Sequence, residues 1–284
     1  MLSPSAASPA CSASTLRQEL NLRALAFAKH HGLAFEQSGG REPSVLFCAK
    51  DDGHGNFPAP SFRRIRANPG WSLRLTKPHT AWRRAWPRAD WQWRELDCAV
   101  SSDALLMSVL CYPRLLASTQ CAALLGIERN AQLVFGFAPR LTRVRDQIDT
   151  TEIDARLGDL LIEAKLTEID FQSAPRARLA RFTHLEEAFL VDQLPRTTTG
   201  AYAGYQLIRG VLAAHAAGGR FCVVCDARRA DLHAQWLAVL GAVRSHTLRC
   251  RLMLLTWQEL SAATPRPLQA WLSEKYGIFP SALR

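Results

Sequence analysis

Thr151-Glu-Ile-Asp-Ala-Arg-Leu-Gly-Asp-Leu-Leu-Ile-Glu-Ala-Lys-Leu166 is the stretch whose reading decides the fold. Two runs with β-type alternation flank Gly158-Asp159, and glycine at the first position of a two-residue loop is a hairpin signal. A hairpin closed there predicts its own register. Leu157 lies opposite Leu160, Ala155 opposite Ile162, Asp154 opposite Glu163, and Glu152 opposite Lys165. Because strand side chains alternate, one face carries Ile153, Ala155, Leu157, Leu160, Ile162, Ala164 and Leu166, all apolar. The other gathers Glu152, Asp154, Arg156, Leu161, Glu163 and Lys165.

Directly opposed residues hold their Cβ atoms about 4.5–5.5 Å apart. Two carboxylates that close repel unless a proton or a divalent cation sits between them. Oxygen ligands of this kind suit Mg²⁺ (or Mn²⁺), which takes one or two protein carboxylates and completes its shell with waters and substrate phosphates. Lys165, on the same face, is placed to hold or acidify a metal-bound water. The bland alternative is an exposed hairpin whose charges pair across strands. Against it, Glu152, Asp154 and Glu163 outnumber the cations Arg156 and Lys165.

Asp154, followed by Glu163-Ala164-Lys165, resembles the PD-(D/E)XK nuclease superfamily, with Ile153 standing where proline often precedes the acid. The resemblance implies a restriction-endonuclease-like α/β sandwich, a mixed β-sheet flanked by helices. It implies Asp154 and Glu163 as metal ligands, the Ala164 carbonyl as a third, and Lys165 as the catalytic lysine. It also implies an acid from a preceding helix, for which Asp103 stands ahead of Glu128, with capping as Asp103's competing role. Gln206 resembles the glutamine that several branches place on the helix after E-x-K. The stretches His54–Phe57, Phe62–Arg94 and Ser101–Pro113 together resemble bacterial restriction-endonuclease-like proteins.

Composition agrees with a polyanion-binding globular protein. Of 284 residues, 48% are hydrophobic and 21% charged, and the formal net charge is +10, which suits a nucleic-acid partner. Cys222 and Cys225 form a C-x-x-C inside an apolar run, but a strand would point them to opposite faces, so they read as buried thiols. No apolar stretch approaches the ~20 residues of a membrane span. The N-terminus lacks a basic and an apolar signal region, so a cytoplasmic protein is expected.

Along the chain, residues 1–14 read as a disordered tail. Residues 15–100 read as an N-terminal helical and basic region, and 101–284 as the nuclease core. A helix is expected from Thr15 to His31, capped by Ser14 or Thr15. Asp51-Asp-Gly-His-Gly-Asn56 reads as a solvated turn. Between Phe62 and Arg94, arginines alternate with tryptophans; Arg63, Arg64, Arg83 and Arg84 are the expected phosphate contacts, with arginine stems covering the tryptophans as the competing role. Ser101, Ser102 or Asp103 caps a helix closed by Tyr112-Pro113. Further helices are expected over Phe182–Leu190, Tyr202–Ala216, Asp231–Val243 and Leu268–Tyr276, and strands over Ala131–Phe137, Phe221–Cys225 and Arg249–Leu255.

The function these features point to is a divalent-metal-dependent endonuclease hydrolysing DNA phosphodiester bonds, most simply on duplex DNA, with a homodimer left open. A DNA-binding module on an inactive nuclease fold and an RNA-processing nuclease are the alternatives. From sequence alone, Lys165→Ala is expected to stop cleavage and leave folding nearly intact.

Overall fold

The structure, a computed structural model, describes residues 11–38, 44–50, 52–78 and 94–281. At its centre is a five-stranded mixed sheet, whose strands are numbered β1 to β5 along the chain and lie side by side in that order. They are β1 (Leu133–Phe137), β2 (Ile153–Leu157), β3 (Leu160–Ala164), β4 (Arg220–Cys225) and β5 (Leu252–Thr256). β1, β2 and β3 are antiparallel neighbours, while β3, β4 and β5 run parallel. The β2–β3 hairpin has the expected register, with Leu157 opposite Leu160 and Ala155 opposite Ile162. Gly158 opens its loop at φ 62°, a conformation that favours glycine over any residue with a Cβ.

Parallel neighbours need crossovers, and helices supply them. α5 (Tyr205–Ala217) links β3 to β4, and α6 (Ala230–Gly241) links β4 to β5. Leu207, Ile208 and Val211 of α5 and Trp236 of α6 pack with Leu161, Phe221 and Val223 on one face of the sheet. The opposite face, with Ala155, Ile162, Cys222 and Val224, is covered by α3 (Ser102–Leu110), α7 (Trp257–Ala262) and α8 (Arg266–Tyr276). Both faces are therefore buried, and Leu161, placed by the sequence on the polar face, is a core residue. Ile153 departs from the predicted apolar face and joins the α5 side with Phe137. Gly136, at φ 63° between Phe135 and Phe137, interrupts the alternation of the neighbouring strand at that level.

The N-terminal half shares this core. Leu16 and Leu20 of α1 (Ala13–His30), Phe62 and Ile65 of α2 (Ala59–Ala67), and Leu96 lie in the same apolar cluster as β2 and β3. Helix α1 starts at Ala13, capped by Ser12 rather than by Ser14 or Thr15. The Cys11 amide donates to the Arg228 carbonyl, so the expected tail already belongs to the fold by residue 11. Residues 1–10 lie outside the described residues.

Asp52 and Gly53 are exposed, as a solvated turn requires, but residues 54–56 correct that reading. His54 and Asn56 are buried; His54 Nε2 meets Asp97 at 3.1 Å, and the Asn56 amide donates to the carbonyls of Leu96 and Cys98. Lys275 of α8, itself buried, donates to the Asn56 side chain and the Gly55 carbonyl. Gly55 is required because a Cβ there would meet Phe47 at 2.2 Å. The polar side chains turned inward because each found a partner there, and composition does not report partners.

Other boundaries moved modestly. Only Leu185–Ala188 of the expected 182–190 helix is helical, and Tyr202-Ala203 pairs with Ser173-Ala174 before α5 begins. His246–Arg249 forms a short helix, so the last strand begins at Leu252. α4 (Thr119–Leu125) precedes β1. No helix among the described residues is long and apolar enough to cross a membrane.

Candidate active site

The hairpin ladder stops at Ala155–Ile162, short of the expected pairs Asp154–Glu163 and Glu152–Lys165. At the next hydrogen-bonding position the Ala164 amide donates to Asp154 Oδ2 at 2.7 Å, so a side chain takes the place of a strand carbonyl. Strand pairing therefore ends where the acids lie. Glu163 Oε1 accepts from Lys165 Nζ at 2.6 Å, and both side chains are almost fully buried, at 2% and 6% exposure. Asp154 Oδ1 and Glu163 Oε2 take no hydrogen bond from the described residues.

The electrostatics reflect crowding. Burial, then Glu163 and Asp103, push the Asp154 carboxyl well above its ordinary range, and Lys165 only partly opposes them. Burial alone would lower the Lys165 ammonium, but Glu163, Asp154 and Glu168 override it and raise it. Lys165 is thus a fixed cation. The donor set fits a divalent oxygen-seeking ion: two desolvated carboxylates share a single lysine, each with an oxygen uncommitted.

Buried arginines hold the backbone on either side. Arg209 of α5 donates to the carbonyls of Thr151 at 2.6 Å and Glu152 at 2.7 Å, just before Asp154. Arg229, with no exposed surface, donates to the carbonyl of Ile169 at 3.1 Å and pairs with Asp231. Trp257 Nε1 donates to the Lys165 carbonyl at 2.8 Å. The site therefore rests on packed elements at the carboxyl ends of the parallel strands, where α/β sheets gather function.

Asp103 does reach this site. Ser101 is the N-cap of α3, accepting from the Ala104 amide, which leaves the Asp103 carboxylate free of capping. Asp103 instead takes Arg74 at 3.1 Å and Lys77 at 2.9 Å. Arg74 also binds Glu152 at 2.8 Å, so Glu152 pairs with Arg74 and not, as its register suggested, with Lys165. Arg74 passes over β1 at Gly136, where a Cβ would lie 2.2 Å from its Nη1. Trp71 fixes that approach by donating to the Leu133 carbonyl. Glu168, expected to be solvated, accepts from Ser102 and from the Leu166 amide and adds to the field on Lys165. Arg74, Lys77, Glu168 and Arg209 carry no local pattern; only the clustering of cations before Arg94 hinted at the first two.

Other expected residues are not brought in. Glu128 lines a surface cleft with Gly158 and Asp159, at the far end of the hairpin. The Gln206 side chain makes no hydrogen bond to Asp154, Glu163 or Lys165, while its backbone N–H donates to the Phe171 carbonyl. Asp170 accepts from the Gln172 amide in an exposed turn. Cys222 and Cys225 are buried free thiols, and burial pushes both upward, Cys225 to about 12.

Among the expected phosphate contacts, Arg83 and Arg84 lie outside the described residues. Arg64 is engaged within the protein. It donates to the carbonyls of Cys111 and Tyr112 at the end of α3, and its guanidinium lies 5.6 Å from the Trp71 ring centroid. Arg63 is exposed on the same helix. Arg63→Glu is therefore expected to leave the melting temperature unchanged and to reduce the salt slope of DNA binding by about one unit. Arg64→Glu should lower the melting temperature instead, because it removes a helix C-terminal cation and its cover over Trp71. Wild-type slopes in both variants, measured by salt titration, would leave neither arginine on the phosphates.

Neither the curated proteins nor the solved structures gave a match to this chain. A family model described as "Restriction Endonuclease associating with ARP" matches residues 22–277, a span that includes the helical N-terminal half as well as the sheet and its carboxylates. With nearly the whole described fold inside that match, the chain belongs to the family of restriction endonucleases associating with ARP.

Proposed function

We propose that the chain is a divalent-metal-dependent endonuclease of the PD-(D/E)XK type acting on duplex DNA. The carrying observation is the pair of carboxylates where the hairpin ladder ends, Glu163 buried and Asp154 half-buried, with Lys165 Nζ 2.6 Å from Glu163. Asp154, Glu163 and the Ala164 carbonyl would hold Mg²⁺ or Mn²⁺, with Asp103 adding its carboxylate from α3. When bound, such an ion supplies Lewis acidity at a phosphate oxygen and a water of lowered pKa.

The chain's own groups do the rest. Lys165, kept cationic by its acidic neighbours, stabilises negative charge building at the reacting phosphate and orients the attacking water by hydrogen bonding. Its proton is held too firmly for a general base. Arg74 and Lys77 fix Asp103 and Glu152 and set positive charge at the rim, where a polyanion approaches. Arg209 and Arg229 keep both strand ends from shifting.

The test is incubation with supercoiled plasmid, linear duplex, single strands and RNA in Mg²⁺, Mn²⁺ or EDTA. Nicking or linearisation of duplex DNA in either metal, absent in EDTA and leaving 5′-phosphates, is expected. Preferential cleavage of structured RNA would move the reading to RNA processing. Metal-independent binding without cleavage of any substrate would make the chain a binding module. The homodimer left open by sequence finds no support; the family description points to an association with ARP.

A further inference from the structure

Away from the carboxylate cluster, three metal-ligating side chains converge on the α5 side of the molecule. His184 precedes the helical turn Leu185–Ala188, Glu187 lies within that turn, and His215 stands in the last turn of α5. Glu187 Oε2 is 3.1 Å from His184 Nδ1 and 3.4 Å from His215 Nε2. All three ligand atoms lie within 4.8 Å of one another. Ligands about 2.0–2.1 Å from a tetrahedral ion are separated by about 3.3–3.4 Å along each edge. Both separations from Glu187 Oε2 therefore lie close to that edge.

The backbone makes this spacing durable. Leu185 and Ala188 of the turn are buried in the same apolar cluster as Val211 and Leu212 of α5. The Leu190 amide donates to the Ala242 carbonyl, and the Arg244 amide to the Ala188 carbonyl, tying the turn to the loop after α6. Apolar packing and backbone bonds hold the two elements together, so the three side chains start from neighbouring positions. Two imidazoles meet one carboxylate oxygen at the surface, with Glu187 exposed and both histidines part-buried.

From this we infer that His184, Glu187 and His215 form a transition-metal site, selective for Zn²⁺ over Mg²⁺, with a fourth position open to water. Imidazole with one carboxylate favours zinc, whereas magnesium prefers an all-oxygen shell. The site is separate from the carboxylate cluster and does not depend on the nuclease reading. In the fold it would staple the 184–190 turn to α5. A second group, His30, His31 and Glu274, has all three residues exposed and takes its two histidines from adjacent positions at one helix end. With both histidines drawn from one helix end and neither part-buried, it serves as an internal control.

The experiment uses the full chain without an affinity tag, carrying Asp154→Asn to weaken metal binding at the carboxylates. Zn²⁺ is titrated by calorimetry, and Co²⁺ by its visible absorption, which is strong only in tetrahedral or five-coordinate sites. One equivalent of Zn²⁺, persisting in millimolar Mg²⁺ and raising the melting temperature, is expected. His215→Gln can still donate a hydrogen bond to Glu187, yet should weaken Zn²⁺ binding by at least about 100-fold, because an amide is a poor zinc ligand. His215→Cys should retain binding and shift the cobalt spectrum toward thiolate ligation. His31→Ala should change nothing. Undiminished zinc binding in His215→Gln, loss of the site in His31→Ala, or no zinc binding by the parent chain would each overturn the assignment. Metal-free melting curves of the variants separate loss of a ligand from loss of the fold.

Discussion

Asp154→Asn is expected to reduce metal-dependent DNA cleavage by on the order of 10³-fold while raising the stability of the metal-free protein. The two effects share a cause. Burial, Glu163 and Asp103 raise the Asp154 carboxyl above its ordinary range, so in the absence of metal its negative charge is a burden on the fold. For a group raised on folding, the associated stability is fully present below the unfolded value, about 3.9, and is lost as pH rises through the folded one. The amide removes that loss, and it still offers an oxygen to the Ala164 amide that Asp154 Oδ2 accepts at 2.7 Å. Wild type should therefore gain stability from Mg²⁺ near neutral pH, and Asp154→Asn should gain little. Excess Mn²⁺ should restore part of the lost cleavage. Melting curves of both proteins from pH 4 to 8, with and without Mg²⁺, measure all of this. A wild type indifferent to metal, with a variant less stable than it, would make the hairpin a structural element only.

The part of the fold that was legible is the part encoded locally. Gly158 marked the turn, and alternation around it placed Ala155 opposite Ile162 without any long-range information. The order of strands and helices after the hairpin followed from the same periodicities. Legibility stopped where a charged residue had to find a distant partner. Arg74 reaches Asp103 and Glu152 by crossing β1 at Gly136, a path that depends on an absent side chain far along the chain. Glu168 looked solvated by strand parity, but the strand has ended by Lys165, and parity no longer applies. His54 and Asn56 sat among glycines and acids and read as surface; Asp97 and Lys275, which buried them, lie dozens to hundreds of residues away.

The same limit explains the N-terminal half. Its tryptophans and arginines signalled a polyanion partner by composition, and the arginines whose placement is described divide between tasks. Arg64 closes α3, Arg74 braces the acids, and Arg63 remains exposed. Leu16, Phe62 and Leu96 lie in one core with the hairpin, so this half builds the site as well as flanking it. A family match that begins at residue 22 agrees with that dependence.

Lys165→Ala is expected to abolish cleavage by a similar factor, on the order of 10³, and, unlike the expectation from sequence, to cost stability as well. Lys165 Nζ is the cation held on Glu163, and the glutamate is only 2% exposed, so truncation leaves a buried carboxylate without its counter-ion. Breaking a buried pair from one side typically costs about 3–5 kcal/mol, because the desolvation of the remaining charge is no longer offset. Urea unfolding without metal should show that loss. Mg²⁺ should recover much of it, since a divalent ion beside Asp154 and Glu163 neutralises the same charge. Cleavage should not return, because the lost cation acts on the reacting phosphate and water rather than on the fold. A second variant separates these roles: Glu163→Gln with Lys165→Met removes both charges together and should restore metal-free stability while leaving cleavage abolished. If Lys165→Ala cuts plasmid at the wild-type rate once Mg²⁺ has restored its stability, then Lys165 is a structural counter-ion and the proposed chemistry has lost its lysine.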